Sequence, residues 1–193
     1  MSKKNIVAIH GAFSTPNIFN FLKKELPQFE WNFVDYSKIT SDINKLITTI
    51  LADYKNSKKQ YHVVGHSMGG LVALGLANQP WIKSISTVAT PLDGLEINIL
   101  QSYLSRSSFL GEISTYSDLL KSIHEKKYHI PVQHIISAQG FNPYIWEPTD
   151  GVVTLRSQRG WQAGSSHDVS ANHSEVMMMS ETVNLLAKFW SIN

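Results

Sequence analysis

Two hydrophobic patterns alternate along the chain, short continuous runs and longer segments with helical spacing. Continuous apolar runs are typical of strands buried on both faces of a sheet, and one such run lies at 5–10. Further strands are predicted at 31–36, 61–64, 82–89 and 132–138. Apolar residues three and four positions apart predict helices at 17–26, 42–54, 68–78 and 174–190. Strands that alternate with helices pair in parallel through right-handed crossovers. We therefore expect one α/β domain over residues 1–193, built on a mostly parallel sheet.

Residues 96–128 interrupt this rhythm, because they separate the fourth and fifth predicted strands by more than a simple crossover requires. Apolar residues are interleaved there with many serines, which predicts one or two inserted helices. These helices would form either an ordinary crossover with a long loop or the wall or small lid of an apolar pocket, and the periodicity fits both. A short apolar run at 152–154 is a candidate extension of the sheet.

Composition narrows the class of protein. The chain has 193 residues, a net charge of +2 and no cysteine, which excludes disulfide frameworks, thiolate metal sites and a cysteine nucleophile. The basic pairs are scattered, so no nucleic-acid surface is expected. The first apolar run is too short for a signal peptide and no run approaches the length of a membrane span. The expectation is a soluble cytoplasmic protein.

The motif most indicative of chemistry is Gly65-His66-Ser67-Met68-Gly69-Gly70, which follows a predicted buried strand and precedes a helix. This G-x-S-x-G pattern, in this context, is typical of a tight turn that presents a serine nucleophile above the strand ends. Glycines on either side let the strand and helix approach closely. We interpret Ser67 as the nucleophile; a tight turn without chemistry is the alternative.

A serine hydroxyl requires a base, and in this type of domain the order is serine, acid, then histidine. His173 lies directly before the last predicted helix, where a loop could carry an imidazole over the serine. His167, six residues earlier in a predicted Gly/Ser-rich loop, is the rival. His124, His129 and His134 come too early in the chain to follow an acid.

Asp150 is the predicted acid, because it follows the fifth strand and Gly151 allows a turn that directs the carboxylate back. Asp-Gly is also a common turn pair, so a structural aspartate is the alternative. Asp93, Glu147 and an exchange that pairs Asp168 with His167 are the remaining candidates.

Two backbone N–H groups are expected to bind the developing oxyanion. One belongs to Met68, the residue after the nucleophile, and the other to Ala12 in the loop after the first strand. Phe13, Tyr144 and Trp146 are candidates for contact with substrate, although each could equally be core. A metal site formed by His167, Asp168 and His173 has a spacing that fits no common ligand motif.

Together these motifs resemble those of the α/β-hydrolase superfamily, and in particular its small single-domain lipases and esterases. The matching segments are His10-Gly11-Ala12, Gly65 to Gly70, Thr90-Pro91, Asp150-Gly151 and His173. The resemblance spans nearly the whole chain and implies a triad of Ser67, Asp150 and His173 with the Ala12 and Met68 amides as oxyanion hole. The chain is shorter than the larger members, which carry two further strands and a separate cap, and this implies a minimal sheet of about six strands.

The function that follows as an expectation is hydrolysis of carboxylic esters through an acyl-enzyme on Ser67. A thioesterase or an acyltransferase could use the same residues, and a non-catalytic binding protein on the same fold is the alternative from another class. No cofactor and no metal are expected. The expected partner is a small acyl ester, with no nucleic acid, and a monomer is compatible with the sequence.

Overall fold

The computed structural model describes residues 3–37, 43–95, 118–161 and 163–193. Its centre is a six-stranded sheet in the order β2-β1-β3-β4-β5-β6. The strands are β1 (Asn5–Ile9), β2 (Glu30–Val34), β3 (Tyr61–His66), β4 (Ile82–Val88), β5 (Val132–Ser137) and β6 (Ser165–Val169). All five neighbouring pairs are parallel, which confirms the predicted parallel α/β sheet.

Helices cover both faces of the sheet. They are α1 (Asn20–Glu25), α2 (Ile43–Tyr54), α3 (Met68–Gly75), α4 (Asp118–Glu125), α5 (Leu155–Gln158) and α6 (Ser180–Ile192), with 3₁₀ turns at Pro16–Phe19 and Glu175–Met178. None of the helices in the described ranges is long and apolar enough to cross a membrane.

The alternation of side chains along β1 explains why its sequence is continuously apolar. Val7 and Ile9 belong to a core on the face covered by α2, α3 and α4, whereas Ile6 and Ala8 belong to a second core on the opposite face. Successive side chains of a strand point to opposite faces, so a strand that is covered on both sides needs no polar positions. The five predicted strand segments correspond to β1, β2, β3, β4 and β5, and all of these except the edge strand β2 lie inside the sheet.

Three details differ from the predicted pattern. The polar segment Ser165–Val169 forms the edge strand β6, although it was expected to be a loop. Residues 152–154 do not extend the sheet; they close a turn in which Thr149 and Thr154 form an isolated antiparallel bridge. The final helix is broken, because Met179 has an extended backbone between the 3₁₀ turn and α6. Within the predicted insertion only α4 can be described, and residues 96–117 lie outside the described ranges.

Buried histidines make the stability of the fold depend on pH. His62 on β3 is 1% exposed, and its Nδ1 lies 2.7 Å from Oγ of Ser84. Burial, together with the charges of Lys4 and Lys83, lowers the pKa of His62 from 6.5 to about 4. Burial also lowers the pKa of His66 and His134.

We expect the free energy of unfolding to decrease as the pH falls from 6.5 towards 4. In this window the folded chain keeps His62 neutral while the unfolded chain protonates it, and the shift corresponds to about 3 kcal/mol. The free energy of unfolding, measured with urea between about pH 7 and pH 4, should depend less steeply on pH in His62→Gln than in the wild type. His66 and His134 should account for the pH dependence that remains in the variant. His129→Gln, at an exposed position, is the control and should follow the wild type. Equal slopes in His62→Gln and the wild type would contradict this expectation.

Candidate active site

The predicted site residues lie on loops at one edge of the sheet. Because the strands are parallel, the segments that follow β1, β3, β5 and β6 all leave from the carboxyl edge. These segments carry Ala12, Ser67, Asp150 and His173, in that order. Ligands of open parallel sheets bind beyond this edge, so the topology alone brings the candidates towards one region.

Ser67 occupies a strained turn between β3 and α3. Its backbone has φ 54° and ψ −126°, in the left-handed half of conformational space that side chains other than glycine rarely adopt. Neighbouring glycines make the turn possible. A Cβ at Gly65 would overlap the backbone of Gly69, and a Cβ at Gly69 would overlap the carbonyl of Ile9. The turn is held by a hydrogen bond from the N–H of Ser67 to the carbonyl of Val88, at 2.8 Å.

The loop after β1 lies against this turn. A Cβ at Gly11 would come within 2.9 Å of Cβ of Ser67, so only a glycine allows the two segments to touch. The next residue, Ala12, and the first residue of α3, Met68, each have a backbone N–H without an acceptor among the described residues. Two unpaired donors beside a serine are what an oxyanion hole requires, and the assignment remains a prediction.

His10 and Tyr36 hold the loop after β1 in place. The rings stack with centroids 4.0 Å apart, and the Tyr36 hydroxyl donates to the carbonyl of His10 at 2.6 Å. Nδ1 of His10 lies 2.8 Å from the carbonyl of Gly11 and therefore donates to it. The backbone N–H of Tyr36 then donates to Nε2 of His10 at 3.3 Å. His10 thus supports the loop.

The structure brings Asp150 and His173 together. Nδ1 of His173 lies 2.7 Å from Oδ2 of Asp150, and the two side chains are 11% and 0% exposed. The other carboxylate oxygen, Oδ1, accepts from the backbone N–H groups of Val152 and Val153 at 2.9 and 2.8 Å. A carboxylate surrounded by donors requires the imidazole to carry its proton on Nδ1, which leaves the lone pair of Nε2 free to accept a proton.

A main-chain hydrogen bond also joins Asp150 and His173. The N–H of His173 donates to the carbonyl of Asp150 at 3.0 Å. The acid and the base are therefore joined through both main chain and side chain, although 22 residues lie between them.

His66 connects this pair to the turn of Ser67. Its Nε2 donates to the carbonyl of His173 at 2.8 Å, and the two rings lie 4.9 Å apart. Burial, assisted by the nearby His173 and His10, lowers the pKa of His66 to about 3, so this ring is neutral. Within the described ranges no hydrogen bond joins Oγ of Ser67 to His173. The link between the two runs through His66, the neighbour of Ser67.

The rival acids form ion pairs elsewhere. Asp93 lies 3.6 Å and Glu147 3.2 Å from the guanidinium of Arg156, and Asp168 pairs with Arg159. The rival base His167 lies on the edge strand β6. In the described part of the chain, no group of three His, Asp or Glu side chains could hold a metal ion.

One buried residue of this site carried no signal in the sequence. Gln158, at the end of α5, is 1% exposed, and its Nε2 donates to Oδ2 of Asp150 at 3.0 Å. A glutamine in a four-residue helix matches no catalytic motif, so only the fold reveals this contact.

The predicted substrate contacts are exposed. Phe13, Tyr144 and Trp146 have 78%, 70% and 98% of their surface accessible. They are not core residues, which removes the alternative interpretation of these side chains. Contact with substrate stays a prediction.

Comparison with known proteins places the chain among hydrolase-type structures. The family model described as PGAP1-like alpha/beta domain matches residues 36–138, more than half of the chain. No curated protein matches the sequence.

Three solved structures illustrate the similarity. The lipase BlEst2 of Bacillus licheniformis has a TM-score of 0.76 at 15% identity, over 97% of this chain and 92% of that one. A lipase-esterase related protein of Clostridium acetobutylicum has a TM-score of 0.67 at 14% identity, over 98% and 94%. An N-formylmaleamic acid deformylase of Pseudomonas putida has a TM-score of 0.66 at 13% identity, over 96% and 92%. The shared fold is the α/β-hydrolase fold.

Proposed function

The chain belongs to the family of PGAP1-like α/β domains, and on that premise we propose that it is a serine hydrolase that cleaves carboxylic esters. Ser67 is the nucleophile, His173 the general base and Asp150 the acid that orients the base. The amides of Ala12 and Met68 form the oxyanion hole.

The observation that carries this proposal is the 2.7 Å hydrogen bond from His173 to the buried Asp150. An imidazole held in this way presents Nε2 as an acceptor, and the carboxylate stabilises the imidazolium that forms when a proton arrives. The nearby serine on a strained turn supplies the proton. A buried ion pair with only a structural role would not require a serine with this backbone conformation beside it.

The proposed reaction has two stages. Oγ of Ser67 attacks the acyl carbonyl while Nε2 of His173 takes the hydroxyl proton, and the oxyanion is bound by the two free amides. The C–O bond to the alcohol then breaks, and the alcohol leaves with the proton from His173. Water next attacks the acyl-enzyme, gives its proton to His173, and the carboxylic acid departs as Ser67 recovers the proton. Phe13, Tyr144 and Trp146 are proposed to contact the acyl group.

A fluorophosphonate probe tests the proposal directly. We expect the folded wild-type protein to gain one probe adduct by mass spectrometry, located on Ser67, and to hydrolyse a short-chain p-nitrophenyl ester until the probe blocks it. The same preparation is assayed on p-nitrophenyl esters of increasing chain length, a matched thioester and a matched anilide, which compares the possible leaving groups. A folded protein without adduct and without hydrolysis would refute the proposal.

A further inference from the structure

Gln158 makes three hydrogen bonds from a fully buried position. Its Oε1 accepts from the backbone N–H of Ser137 at 2.9 Å. Its Nε2 donates to the carbonyl of Ser137 at 3.2 Å and to Oδ2 of Asp150 at 3.0 Å. The side chain thus bridges the end of β5 and the predicted acid.

The orientation of the amide follows from its partners. The N–H of Ser137 can only donate, so the atom that faces it must be the oxygen of Gln158. If the amide were turned over, its NH₂ group would face the N–H of Ser137, and its oxygen would face the carbonyl of Ser137 and Oδ2 of Asp150. Donor would then oppose donor and acceptor would oppose acceptor. The two hydrogen bonds to Ser137 therefore fix the amide so that one N–H of Gln158 points at Asp150. This N–H cannot rotate away unless both bonds to Ser137 break.

Asp150 consequently has a complete set of donors. Oδ1 receives two backbone N–H groups, and Oδ2 receives Nδ1–H of His173 and Nε2–H of Gln158. Four donors match the four acceptor sites of a carboxylate.

We propose that Gln158 is a positioning residue that sets the basicity of His173 through Asp150. This inference rests on the proposed function. The two donors share the lone pairs and the negative charge of Oδ2, so the amide of Gln158 weakens the attraction that the carboxylate exerts on the imidazolium. It also prevents Oδ2 from rotating away from His173.

Two substitutions separate this role from support of β5. Gln158→Met removes all three hydrogen bonds at similar volume. Gln158→Glu keeps an oxygen for the N–H of Ser137 and places a second carboxyl group against Asp150. Two buried carboxyl groups in contact share one proton, so the introduced group still donates to Oδ2 of Asp150. Ser157→Ala is the matched control: its hydroxyl is buried on the same helix and donates to the carbonyl of Gly94, away from Asp150.

The readout is the pH dependence of kcat/KM for a p-nitrophenyl ester, with thermal unfolding measured alongside. We expect the acidic midpoint to move to higher pH by about half a unit in Gln158→Met, since the loss of one hydrogen bond to the carboxylate strengthens its attraction for the imidazolium. The midpoint should stay near the wild-type value in Gln158→Glu, because the shared proton preserves the donor and the net charge. Ser157→Ala should lower stability without moving the midpoint. An unchanged midpoint in Gln158→Met, or an equal shift in both Gln158 variants, would overturn the inference, because a purely structural residue would affect only stability.

A second measurement does not depend on turnover. In protein labelled with ¹⁵N-histidine, the Nδ1–H proton of His173 should resonate further downfield in Gln158→Met than in the wild type, since Oδ2 then has one donor fewer. The resonance should not move in Ser157→Ala. No movement in Gln158→Met would refute the role of Gln158 even if the wild type proved to hydrolyse no ester, whereas an inactive wild type with the expected movement would refute only the proposed function.

Discussion

Replacing Ser67 with alanine is expected to lower kcat for ester hydrolysis by about 10⁵-fold or more, with no loss of folded protein. The change removes one oxygen atom and leaves Cβ, so the packing of Gly11 against this position is kept. Without Oγ no acyl-enzyme can form. The loss corresponds to about 7 kcal/mol of transition-state stabilisation.

The experiment compares Ser67→Ala with Ser165→Ala. Ser165 lies exposed on the edge strand, so its replacement should leave kcat and labelling unchanged. Some hydrolysis above the uncatalysed rate should persist in Ser67→Ala, because free amides beside the site can still stabilise an oxyanion. Undiminished hydrolysis by Ser67→Ala, with probe still attached, would assign the nucleophile elsewhere.

The second large effect distinguishes the two candidate bases. We expect His173→Ala to lower kcat/KM by about 10⁵-fold, because it removes the imidazole that Asp150 holds at 2.7 Å. His167→Ala should change kcat/KM by no more than about twofold, as is usual for substitutions outside such a network. Both histidines are separated by only six positions, so the comparison is made within one short segment of chain.

The values of kcat/KM for the two variants are measured by steady-state kinetics on a soluble ester at pH 8, about one and a half units above the ordinary histidine pKa. Circular dichroism verifies that both variants are folded. A large loss in His167→Ala together with an active His173→Ala would reverse the assignment. Equal small effects in both variants would show that neither histidine is the base.

The sheet could be predicted from sequence where burial determines composition. Strands β1, β3, β4 and β5 lie inside the sheet and each carries buried apolar residues that mark it as a strand. The edge strand β2 is still rich in aromatic and aliphatic residues, whereas the edge strand β6 has Val169 as its one fully buried residue. Its pairing depends on main-chain hydrogen bonds, which leave no trace in the pattern of side chains. The break at Met179 is hidden for another reason, because Val176, Val183 and Leu186 keep a helical spacing across it.

The candidate site was partly predictable for a different reason. Motif order singled out Asp150 and His173, and the structure joins them directly. Chain order contains no information about Gln158, which reaches Asp150 only because α5 folds back beside the end of β5. Polar residues that act through a neighbouring side chain follow no fixed sequence spacing, so only the three-dimensional structure reveals them.

The main-chain bonds around Asp150 and His173 have a consequence for divergence among homologues. The segments that carry the two residues are fastened to each other by amide-to-carbonyl bonds, from His173 to Asp150 and from Gln139 to Ala171. Such bonds are made by nearly every amino acid. A lineage could therefore exchange most of the surrounding side chains, and with them the shape offered to a substrate, while the spacing of the two residues was inherited unchanged.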